Sequence, residues 1–107
     1  MILRDFNTLM NKRISKIKST LLLKGKEYGR KDRLHNFKTA ARMDEGETPE
    51  RALKGMWKKH LISIFDMIDD LDTYNLPTQA LIDAKIGDGI NYLILLEALL
   101  TERLKES

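Results

Sequence analysis

A chain of 107 residues is long enough to bury one modest core and too short for two, and its 42% hydrophobic residues exclude a disordered polymer despite 33% charged residues. The absence of cysteine excludes disulfides, thiolate zinc sites and cysteine nucleophiles, and with only two histidines a zinc centre is not expected. The net charge of +3 conceals a division: residues 1–42 hold 12 Lys/Arg and three acids, a net +9, whereas residues 43–107 hold 7 and 13, a net −6.

Arg4 and Asp5 follow Met1, Ile2 and Leu3 at once, so no signal-peptide apolar region is expected. Asp5 is placed to cap a first helix in which Phe6, Met10, Ile14, Ile17 and Leu21 recur at steps of four and three, predicting helix to about Leu23. Residues 24–36 contain two glycines and five Lys/Arg without a period, so the helix either frays there or ends near Gly29 and passes into a basic loop. A short helix is predicted from Asn36, as cap, to Asp44, with Phe37, Ala40, Ala41 and Met43 as its apolar content.

Thr48 followed by Pro49 and Glu50 is a helix start: the hydroxyl accepts from a free backbone N–H, and proline sits where its missing donor costs nothing. Leu53, Trp57, Leu61, Ile64, Ile68 and Leu71 give this third helix one apolar stripe, and Asn75, Leu76 and Pro77 stop it at about Asp72 to Tyr74. Thr78 caps a last helix to about Lys105. From Ile90 to Leu100 that helix is apolar on nearly every side, which predicts the central helix of a bundle, a homo-oligomer interface, or both. The run is too short for the roughly 20 residues of a membrane span. The expected fold class is all-α: a single domain, a bundle of about four helices with a long C-terminal helical hairpin.

Reflection of the hairpin about Pro77 sets Asp66 opposite Asp88, Ser63 opposite Asn91 and Asp70 opposite Ala84. Carboxylates at Asp66, Asp70 and Asp88 converging from two antiparallel helices would offer oxygen ligands to Mg²⁺ or Mn²⁺, and a basic segment beside them would hold phosphates. The alternative is a solvated acidic surface. His60, beside Trp57 and Leu61, reads either as a proton carrier or phosphate donor or as a half-buried packing residue. No nucleophile context or phosphate-binding glycine loop is present.

Several separated segments carry a resemblance: Lys26 to Gly29; Asn36 and Phe37 with Ala40 and Ala41; Thr48, Pro49 and Glu50 with Lys59, His60 and Ser63; and Lys85 to Leu93. In order and spacing they resemble the helical phage domain called nucleotide modification associated domain one, over about residues 20–100. The stretch from Ile86 to Leu96 is also similar to the second metal-binding helix of MazG-like nucleoside triphosphate pyrophosphohydrolases. In that family a Glu-x-x-Glu pair and a Glu-x-x-Asp pair on neighbouring helices hold Mg²⁺. Here Asp66 and Asp69 stand for the first pair, and Lys85 stands where the acidic partner of Asp88 belongs.

The resemblance implies a phage or prophage protein of the host cytoplasm that binds a phosphorylated nucleotide. Asp66, Asp70 and Asp88 would hold Mg²⁺ or Mn²⁺, and Lys26, Arg30, Lys31 and Lys59 would hold phosphate oxygens. Tyr28 and Phe37 would stack on the base, Asn91 would read its edge, and Asn36 and His60 would complete the ligand set. Three outcomes stay open: a metal-dependent triphosphate pyrophosphohydrolase, a non-catalytic protein that sequesters a nucleotide, or an interaction protein whose basic helix docks on nucleic acid or a host protein.

Overall fold

The structure is a computed structural model that describes residues 1–28 and 32–107, with backbone alone at 24, 25, 27 and 28. Among the described residues four helices follow one another: α1 Leu3–Tyr28, α2 His35–Met43, α3 Pro49–Asp69 and α4 Gln79–Glu106, with a 3₁₀ turn at Asp70–Thr73 closing α3. The protein is an all-α helical bundle. Among the described residues no helix is long and apolar enough to cross a membrane.

The two strongest start signals act as the sequence predicts. Thr48 Oγ1 accepts from the Arg51 N–H at 3.2 Å with Pro49 in the first turn, and Thr78 Oγ1 accepts from the Leu81 N–H at 3.1 Å. Each such cap is worth about 1 kcal/mol. The other two caps differ from expectation. Helix α1 begins at Leu3, ahead of Asp5, which therefore sits in the first turn where the helix dipole favours its charge. Helix α2 begins at His35, and the carboxylate that serves its start is Asp32, whose Oδ1 accepts from the Leu34 N–H at 3.0 Å. Asn36 is inside α2 and exposed. Helix α1 continues to Tyr28, the later of its two expected ends, because one internal glycine costs only about 1 kcal/mol against good helix formers on either side.

Leu34, Phe37, Leu53 and Leu99 form the core cluster, with Trp57, Tyr92, Leu95 and Leu96 packed against it. Leu53, only 1% exposed, is its centre. Burial of such a side chain stabilises by roughly 1.5–3 kcal/mol. Lys38 ties α2 to α4 through ion pairs with Asp32 and Glu102, and the two carboxylates push its ammonium up to about 12. Arg103 near the end of α4 grips Glu50 at the start of α3 with two bonds of 2.6 and 2.7 Å.

Helix α4 is the central helix, and its glycines show how. A Cβ at Gly87 would meet Arg13 of α1, and one at Gly89 would meet Ile64 of α3. Two residues apart on a helix is about 200°, so the glycines face opposite sides and α4 lies between α1 and α3. Arg13 and Lys16 reach Asp83, while Ser19 and Thr20 share a cleft with Asp88 and Asn91, so α1 and α4 run in the same direction.

Candidate functional site

Between the two glycines stands Asp88, rotated about 100° from each. Its carboxylate lies at the edge of a cleft of about 240 Å³ between α1 and α4, whose polar lining comes from Arg13, Lys16, Ser19, Thr20, Asp83 and Asn91. From α3, His60 Nδ1 approaches Asp88 Oδ2 at 3.4 Å, and the imidazole tilts against the Tyr92 ring with centroids 5.0 Å apart. Burial, and after it the Asp88 charge, raise the Tyr92 phenol above its usual value. His60, Asp88, Tyr92 and Asn91 therefore gather where α1, α3 and α4 meet.

The basic wall of the cleft is already engaged. Arg13 donates to the Asp83 backbone carbonyl at 3.1 Å and to Asp83 Oδ1 at 3.3 Å, and Lys16 donates to Asp83 Oδ2 at 2.9 Å. Gln79 Nε2 adds a further bond to the same carboxylate at 3.0 Å. The hydrogen bonds from Lys16 and then Gln79 hold the Asp83 carboxyl below its ordinary value, with the charges of Lys16 and Arg13 adding to them.

Asn91 supplies the feature that a purely structural cleft does not require. Its Oδ1 is buried and has no hydrogen-bond partner among the described residues. An unpaired buried acceptor costs about 1–3 kcal/mol. Rotation of the Asn91 side chain toward the cleft would let a ligand N–H recover that loss.

The three carboxylates expected to hold a metal are not brought together. The hairpin register is close to the reflection about Pro77, since Ile64 meets Gly89. The rotational phase is what differs: Asp66 lies about 200° round α3 from Ile64, so it faces outward and is exposed. Asp70 is exposed at the C-terminal cap of α3. The residue that meets Asp88 from α3 is His60. Among the described residues no three His, Asp or Glu side chains are grouped to hold a metal ion, so the residues do not fit the Mg²⁺ or Mn²⁺ site that the resemblance implies. Lys85, in the place of the missing acid, donates to the Ser63 backbone carbonyl at 3.0 Å and fastens α3 to α4.

Of the other expected ligand residues, Phe37 is 6% exposed in the core cluster, so its ring is not available to stack on a base. Lys59 is exposed on α3 and does not line the cleft, and Lys26 is exposed near the end of α1. Arg30 and Lys31, and the side chain of Tyr28, lie outside the described residues. Arg13, Lys16, Ser19, Thr20 and Asp83 are the site residues that sequence reasoning missed. The available signal was Gly87: a glycine inside an otherwise strong helix marks the close approach of another element.

Comparison with known proteins adds nothing to this geometry. No family model matches the chain, and no curated protein or solved structure matches it.

Proposed function

We propose that this protein binds a phosphorylated nucleotide in the cleft between α1 and α4 without hydrolysing it. The observation that carries the reading is Asn91, whose Oδ1 is a buried acceptor left unpaired among the described residues and whose side chain borders a cleft that a ligand can enter. An exocyclic amine or ring N–H of a base is a donor of the right kind. Lys16, half-exposed at the mouth, and the hydroxyls of Ser19 and Thr20 are suited to phosphate oxygens, with Lys16 exchanging part of its interaction with Asp83 for the ligand. The resemblance to phage nucleotide-associated domains supports the same ligand class.

The dispersal of Asp66, Asp70 and Asp88 favours sequestration over pyrophosphohydrolysis. A metal-dependent cleavage needs several oxygen ligands on one ion, and Asp88 has a histidine beside it instead. Calorimetric titration with nucleoside mono- and triphosphates, with and without Mg²⁺, followed by product assay, tests both halves of the reading. Saturable binding that is lost in Asn91→Leu and weakened in Lys16→Ala, with no product formed, is the expected result. Turnover with Mg²⁺ would restore the hydrolase. Absence of binding at millimolar nucleotide, with steeply salt-dependent binding to any duplex, would replace it by nucleic-acid docking through the basic helix.

A further inference from the structure

The exposed surface is 8333 Å², whereas a compact monomer of 12.4 kDa exposes about 6100 Å². The radius of gyration is 16.3 Å against about 13 Å for a compact chain of this length. The excess of about 2200 Å² is more than the roughly 800 Å² that each partner contributes to an ordinary stable interface.

Part of this excess lies on one flank of α3. Trp57, Leu61, Phe65 and Ile68 follow at steps of four, four and three, so they form one stripe, and Phe65 and Ile68 are 58% and 54% exposed. The N-terminal half of the stripe is continuous with an apolar groove of about 480 Å³ floored by Leu53, Trp57, Leu61 and Leu96.

Charge along the same helix is divided. Arg51, Lys54 and Lys58 flank the first half; Asp66, Asp69 and, just beyond the helix, Asp72 flank the second, and all are exposed. None of these six side chains forms an ion pair among the described residues. Cations toward the N-terminus and acids toward the C-terminus are the reverse of what the helix dipole favours. A lone surface helix gains nothing from this order. A parallel pairing of two copies would set like charges against each other, but an antiparallel pairing sets Lys54 and Lys58 against acids.

We infer that two copies of this chain associate through α3, antiparallel about a two-fold axis that crosses the helix at the level of residue 63. Leu61 then packs against the second copy's Phe65, Lys58 faces its Ile68 and Asp69, and Lys54 faces its Asp72. The interface is isologous, so each contact occurs twice. It lies on a flank of α3, beside the face that packs on α4, and is independent of the nucleotide reading.

Sedimentation equilibrium of the full chain, with circular dichroism to confirm helicity, tests this. The parent protein sediments as two chains at micromolar concentration. Lys54→Glu with Lys58→Glu, and separately Asp69→Lys with Asp72→Lys, weaken the dimer at least tenfold. An equimolar mixture of the two double variants regains the two-chain mass, because each cation again faces an acid. A monomeric parent overturns the proposal, as do double variants that dimerise like the parent or a mixture that stays monomeric.

Discussion

The guanidinium of Arg13 lies over Gly87, with Nη1 2.8 Å from where a β-carbon at that position would sit. The guanidinium can lie this close to α4 only because residue 87 has no side chain, and the approach aligns Arg13 with both the backbone carbonyl and the carboxylate of Asp83. The substitution Gly87→Ala therefore displaces the end of a flexible side chain rather than backbone. Its cost in lost Arg13 bonds is offset by the better helix propensity of alanine, worth about 1 kcal/mol. The expected outcome is a melting temperature within a few degrees of the parent but clearly weaker nucleotide binding, read by thermal melting and calorimetry on one preparation. Unchanged binding would show that the α1 wall is not part of the site.

Asn91→Leu is expected to separate stability from binding in the opposite sense. Replacing a buried acceptor that has no partner with an apolar side chain removes a penalty of about 1 kcal/mol or more. For a chain of this size 1 kcal/mol is roughly 4–8 °C in melting temperature. The variant should melt higher and fail to bind nucleotide. A variant that melts lower would indicate that Asn91 is already satisfied in solution and has no ligand role.

Asp88→Asn addresses the histidine pair. His60 and Asp88 are both partly exposed at 3.4 Å, and such a pair contributes at most about 1 kcal/mol. Helicity should be kept, with a small fall in melting temperature, while ligand binding decreases because the carboxylate borders the cleft. Binding equal to the parent would remove Asp88 from the site.

Acid should unfold the protein from a defined side. Asp32, Glu50 and Asp83 are all held below their ordinary values, first of all by hydrogen bonds from Lys38, Arg103 and Lys16 respectively. Carboxylates with depressed folded values bind fewer protons when folded, so their contribution is present above the ordinary values of 3.8 to 4.5 and is lost as pH falls through and below them. Melting temperature should be nearly flat between about pH 8 and 5 and fall below about pH 4. Asp83→Asn should reduce that fall. An acid limb identical to the parent's would mean that the α1–α4 ion pairs do not hold the fold.

Leu53→Ala examines the core. Loss of a fully buried leucine side chain costs about 2–5 kcal/mol, a large part of the stability of a small domain. Marked destabilisation in urea is expected, against about 1 kcal/mol for Thr48→Ala at the α3 cap. Equal effects would place the stabilising packing elsewhere, in the contact between copies.

The sequence by itself determined the helices, the caps at Thr48 and Thr78 and the break between Tyr74 and Pro77, because these depend on periodicity and on backbone groups a few residues away. It also marked Asp88, Asn91 and His60 as residues to watch. Only the tertiary structure decided which of them meet. The hairpin reflection comes close to the pairing of Ile64 with Gly89, but rotation of α3 about its own axis turns Asp66 to solvent and brings His60 to Asp88. That rotation is set by which side chains fill the core, Leu53 and Met67 among them, and no local pattern reports it. Arg13 and Asp83 lie 70 positions apart, and their pairing exists only because α1 packs alongside α4 at a glycine.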